Sequence, residues 1–194
     1  MEAVVWSDYL CPWCYVGQDR TALLRSLGVT VTVLPFELHP EVPVGGVSLQ
    51  RRYQAPAAEC EAVGMPFRPP TWLPNTRHAL AAAEWVRRTH PEAFDAVHEA
   101  LFRAYFVDGL DIGDHDVVAS VAGSDVDIEQ GSAWVDESMA AARDADVLAT
   151  PAWRLDTGVV IPGVQPRAYF ERVARRRLAG GGEAAASPPK AIRP

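Results

Sequence analysis

Two β-branched runs with one helical stretch between them open the chain, and that alternation restricts it to a few architectures. Ala3-Val4-Val5-Trp6 is short and apolar, the pattern of a buried strand. Val29-Thr30-Val31-Thr32-Val33-Leu34 is a second and stronger strand signal. Between them Pro12 stands where a helix begins, because a first-turn proline has no intrahelical hydrogen bond to lose. Val16, Leu23, Leu24 and Leu27 follow at helical spacing, and Gly28 ends the segment. A crossover of this length makes the two strands parallel neighbours with a right-handed connection.

From Pro40 to about Val147 the character changes. Val42-Pro43-Val44-Gly45-Gly46 is a linker by composition. Beyond it Asn75 is placed to cap a helix whose Ala79, Ala82, Ala83 and Val86 form one close-packing face. Pro91 opens another, with Phe94, Val97, Leu101, Phe102 and Tyr105 on its apolar side. A shorter helix starts at Asp114 or His115, and a last one runs from about Ser132 to Ala145. After Thr150-Pro151 the strand pattern returns. Ala152–Leu155, a turn at Asp156-Thr157-Gly158 and Val159–Ile161 read as an antiparallel hairpin, and Pro166 starts a final helix through Tyr169, Phe170 and Val173. The order βαβ, helices, ββα describes an α/β domain (residues 1–42 and 148–179) split by an all-helical insertion (43–147). Residues 180–194, rich in Gly, Ala, Ser and Pro, are expected to be disordered.

The composition bears on what such a domain can do. Of 194 residues, 48% are hydrophobic and 22% charged, as in ordinary globular proteins. A net charge of −7 argues against a nucleic-acid partner, which demands a dense array of cations. No run approaches the ~20 apolar residues that span a bilayer. The first ten residues lack a basic region and are interrupted by Asp8, unlike a signal peptide. A cytoplasmic location is therefore expected. In that reducing environment a close cysteine pair reads as redox chemistry or metal binding rather than as a structural disulfide.

Cys11-Pro12-Trp13-Cys14 is that pair. By itself C-x-x-C is shared by zinc ribbons, iron–sulfur sites and redox enzymes, but this one falls where a strand hands over to a helix. The orphan N–H groups and the macrodipole at a helix start favour thiolate over thiol at Cys11. Cys14, one turn on, faces back and can resolve a mixed disulfide. A zinc site needs two more ligands at metal-like spacing; Cys60 is alone and the histidines are scattered, so no metal is expected. Cys60 reads as an inert packed thiol and His98 as a core or rim residue. His39 and His78 read as surface or pocket-lining groups, and the dispersed tryptophans as core or edge residues.

Ser7-Asp8-Tyr9-Leu10-Cys11-Pro12-Trp13-Cys14-Tyr15-Val16-Gly17 resembles the active-site segment of DsbA-like thioredoxin domains, in particular the FrnE-type branch. The likeness continues through Pro35-Phe36-Glu37-Leu38-His39-Pro40, Asn75-Thr76-Arg77-His78-Ala79, Leu101-Phe102-Arg103-Ala104-Tyr105-Phe106 and Gly163-Val164-Gln165-Pro166. This resemblance implies a thioredoxin-like fold interrupted by helices, the architecture read independently above. It also implies a cis-proline loop at Thr150-Pro151 facing the cysteines, although Asp146-Val147-Leu148-Ala149 lacks the glycines usual before it. Thr150 and Pro151, with Pro12 and Trp13, would then meet an extended substrate. Many thioredoxin-like enzymes carry a buried acid six residues before the first cysteine; here Val5 occupies that position, and Asp8 or Glu37 is left to relay the proton.

The resemblance implies a thiol–disulfide oxidoreductase acting on protein or small-molecule disulfides and thiols, as a monomer or homodimer. No metal or organic cofactor is required for dithiol exchange, and a low-molecular-weight thiol such as glutathione or mycothiol is an optional partner. Trp13 offers the thiolate no positive charge, so Cys11 should be activated mainly by the helix terminus, to a pKa below ~8.5 but above the ~3.5 extreme. The same fold also serves 2-hydroxychromene-2-carboxylate isomerases and kappa-type glutathione transferases, where a single Ser or Cys activates a thiol cofactor. Retention of both cysteines favours the dithiol reading over that alternative and over a non-catalytic chaperone.

Overall fold

A computed structural model describes residues 1–178; the tail for which disorder was expected lies outside the described residues. The chain begins with β1 (Glu2–Ser7), α1 (Pro12–Ser26) and β2 (Thr30–Pro35), and ends with β5 (Ala152–Leu155), β6 (Val160–Pro162) and α7 (Arg167–Leu178). The four strands form one sheet in the order β2-β1-β5-β6. β1 and β2 are parallel, while β5 and β6 run antiparallel to their neighbours. Gly158 turns the hairpin with φ +82°, a conformation that costs glycine least.

Side chains alternate across the sheet as the two-residue strand period requires. Ala3 and Val5 join Val31, Val33, Trp153 and Leu155 in the larger core. Trp6 points the other way, into a smaller cluster with Phe36, Ala142, Val147 and Ala152. Both faces of β1 are thus covered, which is why its sequence is a continuous apolar run.

Between the halves lie β3 (Val47–Ser48), α2 (Gln54–Ala62), β4 (Trp72–Leu73), α3 (Arg77–Thr89), α4 (Pro91–Arg103), α5 (His115–Ala122) and α6 (Ile128–Asp144). The insertion is therefore not wholly helical: β3 and β4 pair as a short antiparallel ribbon. Strands of two residues carry no readable periodicity, so this ribbon left no trace in the sequence pattern. α6 begins four residues earlier than its apolar pattern indicated, because Asp127 caps it by accepting from Gln130 N–H at 2.9 Å. Asn75 caps α3 from one place before the N-cap: its Oδ1 accepts from Arg77 N–H at 3.0 Å and its Nδ2 donates to Val42 O at 2.6 Å.

The alanine face of α3 does what its small side chains permit. Ala79, Ala81, Ala82 and Ala83 are buried, and Gly131 of α6 lies against the Ala81 carbonyl so closely that any Cβ there would collide with it. α4 runs on into a π-helical turn, Ala104–Asp108, which closes at Gly109 with φ +72°. Phe102 and Phe106 from this segment meet Tyr9 and Tyr15 from either side of the cysteine motif, at ring separations of 4.9 Å for Tyr9–Phe102 and 5.1 Å for Tyr15–Phe106. This aromatic seam joins the insertion to the α/β sheet in one continuous core.

Candidate active site

β1 ends at Ser7, and Cys11 is the N-cap of α1, with Pro12 in the first turn. Cys11 has extended backbone angles (φ −83°, ψ 115°), and its carbonyl accepts from the N–H groups of Cys14 and Tyr15 at 3.0 and 3.1 Å. The Thr150-Pro151 peptide is cis, and Cys11 Sγ donates to Thr150 O at 3.6 Å, so the loop before β5 faces the cysteine pair. In place of a glycine, Asp146 takes the left-handed conformation in that loop (φ 55°), which Asp tolerates better than most residues. Gly17, one turn past Cys14, lets α1 approach Pro151 and Trp153; a Cβ there would stand 3.2 Å from the Trp153 ring.

All three cysteines are free thiols. Cys11 keeps 3% of its surface and Cys14 2%, deeper than the helix-start position alone suggests. Pro12 and Thr150 beside Cys11 are half-buried and Leu148 and Ala149 exposed, so the sulfur lies just under the rim of the cis-proline loop. Burial penalises a thiolate. Hydrogen bonding nevertheless wins at Cys11, whose pKa lies below its ordinary value: the Cys14 thiol is the largest cause, with the Cys14 backbone N–H and Thr150 adding to it. The partner sulfur thus joins the helix-end N–H in activating Cys11. Cys14 moves oppositely, well above its ordinary value, through burial and through its bond and charge interaction with Cys11. The Thr150 hydroxyl, buried without a regular hydrogen-bond partner, faces both sulfurs and lowers the pKa of each.

Asp8 and Glu37, which the sequence left as equals, occupy different settings. Asp8 is fully buried; its Oδ2 accepts from Leu38 N–H at 2.7 Å and its Oδ1 from Leu10 N–H at 3.3 Å. Burial outweighs those bonds and pushes its carboxyl up to about 6, and its charge reaches Cys11. Glu37 instead accepts from Arg77 at 3.0 Å, and the same guanidinium donates to Asp136 and to the Ser132 carbonyl. Glu37 is thus a strut between the β2 end, α3 and α6.

The other candidates spread out. Trp13 is buried in the core, and Cys60 is buried on α2 with its pKa pushed up to about 12 by desolvation. His78 stacks on His115 at 3.8 Å, and His39 pairs with Glu41 at 2.8 Å. Tyr53, which carried no sequence signal, is close enough to feel the Cys11 charge, and Tyr105, read in the sequence as an apolar-face residue, feels Tyr53 and Asp8. Tyr105 also lines a cavity of about 370 Å³ with Arg68, Trp72, Gly109, Leu110 and Asp111. That volume falls in the range of small-molecule sites. Among the described residues no group of three or more His, Cys, Asp or Glu is arranged to hold a metal, and no helix is long and apolar enough to cross a membrane.

A parallel βαβ unit and a β-hairpin flanking helices, with a dithiol at the start of α1 opposite a cis-proline, define a thioredoxin-like domain of the DsbA type. Residues 3–172 match the DSBA-like thioredoxin domain, and the chain belongs to that family. It is 28% identical over 193 residues to the uncharacterized protein YwbO of Bacillus subtilis, covering 87% of this chain and 92% of that one. Among solved structures it is similar to a probable DsbA oxidoreductase, SCO1869 of Streptomyces coelicolor, with TM-score 0.79 and 23% identity over 99% of this chain and 94% of that one. It is also similar to the cytosolic disulfide reductase DsbM of Pseudomonas aeruginosa, solved with GSH (TM-score 0.63, 17% identity, 93% and 98% covered). A 2-hydroxychromene-2-carboxylate isomerase gives TM-score 0.63 and 18% identity, with 93% and 95% covered. At these identities the structures speak to the fold.

Proposed function

We propose that this chain is a thiol–disulfide oxidoreductase whose Cys11 and Cys14 cycle between dithiol and disulfide. One observation carries the reading: two free sulfurs stand one turn apart at the start of α1, facing the cis Thr150-Pro151 peptide, and their pKa values are driven in opposite directions. That asymmetry assigns roles, since the thiolate attacks and the thiol waits. Cys11 Sγ attacks a disulfide R–S–S–R′ and expels R′–S⁻. Cys14 then attacks the Cys11 sulfur of the mixed disulfide, expels R–S⁻ and leaves the pair oxidised; reduction runs the same steps backwards.

Pro12 and Thr150, both half-buried, meet the substrate, while Trp13 and Pro151 are buried and hold the motif and the loop in place rather than touching it. The half-exposed Thr150 backbone is offered to an extended chain as a strand edge would be. Asp8, poised at about 6, exchanges the proton on the Cys11 side, where its charge is felt. Protein disulfides and low-molecular-weight thiols such as glutathione or mycothiol are the partners in this reading, and the cytoplasm is its setting.

Trapping tests it. Cys14→Ala incubated with a mixed-disulfide donor should accumulate a covalent adduct on Cys11, visible by intact mass, while wild type passes through it. Cys11→Ser should lose disulfide reduction; a variant that still reduces at the wild-type rate removes the proposal. The cavity beyond Tyr105 favours a second reading, a thiol-dependent isomerase or transferase on a small molecule. Under that reading Cys14→Ser keeps full turnover with added glutathione, whereas the dithiol mechanism loses it.

A further inference from the structure

Resolution by Cys14 needs somewhere for its proton to go. The thiol is buried, its pKa lies far above its ordinary value, and Val5, which lines the same cavity, offers no group to take the proton. A cavity of about 10 Å³, room for one water, is lined by Cys14 and Val5 together with Ser7, Gln18, Thr21 and His98. Among these groups His98 alone is a titratable base. It belongs to α4 of the insertion, 84 positions from Cys14 in the chain, and is itself 9% exposed.

The ring is held in place. His98 Nδ1 and Tyr9 Oη lie 2.9 Å apart, and the ring packs between Phe94 and Phe102 at centroid separations of 5.3 and 5.1 Å. A second cavity of similar size lies on the Tyr9 side of the same imidazole, shared with Ser7 and Val33 and reaching Glu84. In the tautomer whose Nδ1–H donates to Tyr9 Oη, Nε2 is the nitrogen left as acceptor.

We propose that His98 accepts the proton of Cys14 through a water in their shared cavity, doing from the helical insertion what a carboxylate at position 5 would do from β1. The inference rests on the dithiol reading above. In the resolving step the Cys14 S–H bond breaks and its proton passes through the water to His98 Nε2. The Cys14 sulfur bonds to the Cys11 sulfur, and R–S⁻ leaves with the electron pair of the mixed disulfide. The dithiol is oxidised by two electrons and R–S–S–R′ is reduced by two. In the reverse direction the imidazolium returns the proton to the Cys14 thiolate. Burial keeps the resting imidazole neutral, with a nitrogen open to the proton, and makes it hold that proton only briefly, so that it is passed on as R–S⁻ leaves; Asp95 favours its charged form and Arg25 opposes it, while Tyr9, Glu84 and Cys14 face it from the remaining sides. Asp8 serves the other sulfur.

His98→Gln keeps a polar side chain that cannot take a proton. Rapid mixing with a mixed-disulfide donor, with the adduct quenched and weighed, yields the rates of Cys11 attack and of Cys14 resolution in one sample. Their ratio is independent of how much protein is folded. In wild type the two phases must appear; if no adduct forms, the dithiol reading itself fails. In His98→Gln the ratio of resolution to attack should fall ~100-fold at neutral pH, with the loss shrinking as alkali removes the Cys14 proton directly. Adding Val5→Asp in the same chain should restore the ratio. An unchanged ratio across pH overturns the proposal. A readout in the unmodified protein covers the case in which the variant does not fold. The ¹⁵N shift of His98 Nε2 should move between dithiol and disulfide forms, and a shift that stays put overturns the assignment equally.

Discussion

Asp8→Asn should make the protein's stability respond to pH in a way wild type conceals. Two buried groups titrate abnormally in opposite senses. The Asp8 carboxyl is raised from 3.8 to about 6 by burial, and the His98 imidazole is lowered from 6.5 to about 4 by the same cause. Between those values of pH, folded Asp8 holds a proton that the unfolded chain has released. Stability therefore falls as pH rises from about 4 to 6, by roughly 3 kcal/mol at ~1.4 kcal/mol per tenfold change in proton affinity. For His98 the folded state refuses a proton that the unfolded chain binds, so stability rises by roughly 3 kcal/mol as pH climbs from about 4 to 6.5. The windows overlap and the contributions nearly cancel. Asp8→Asn removes only the falling part. Urea unfolding of both proteins under reducing conditions, at steps from about pH 4 to 7, should show the variant gaining roughly 3 kcal/mol relative to wild type across the range. A difference between the two that stays constant with pH would mean that Asp8 ionises normally in the folded protein, and the reasoning from its burial would be wrong.

Cys14→Ala removes the donor that does most to lower the Cys11 pKa, so thiolate absorbance should report a Cys11 thiol titrating higher than in wild type; an unchanged midpoint would assign activation to the helix end alone. Gly131→Val forces a side chain into the Ala81 carbonyl, backbone that cannot step aside, and should destabilise by about 3 kcal/mol in urea unfolding. Arg77→Ala strands Glu37, whose side chain is 10% exposed, and should cost about 1–2 kcal/mol after allowance for the partial exposure of Arg77 itself. That loss should be largely recovered when Glu37→Gln is added, which double-variant unfolding curves would show.

Much of this molecule was legible in its sequence because the relevant forces act over short distances along the chain. β1, α1 and β2 follow from period-two and period-3.6 apolar patterns, and the same local logic placed Cys11 at the strand–helix junction. The small-residue face of α3 was equally visible, since alanines at helical spacing announce close packing even when the partner is unknown. Boundaries set by side-chain caps, such as Asp127, and two-residue strands such as β3 and β4 were not, because neither alters the apolar period.

The division of labour between carboxylates and histidine was decided by tertiary structure alone. In the sequence Asp8 and Glu37 are two acids near family-like segments; only folding buries one and hands the other to Arg77. His98 reads as a histidine on the apolar side of a helix, and nothing within α4 records that the helix lies across the cavity of Cys14 and Val5. The depth of Cys11, and the approach of Thr150 to its sulfur, likewise arise between groups that meet only after packing. Periodicity records which side of an element is covered; desolvation and hydrogen bonding depend on what covers it, and for His98 and Cys14 that is settled between groups 84 positions apart in the chain.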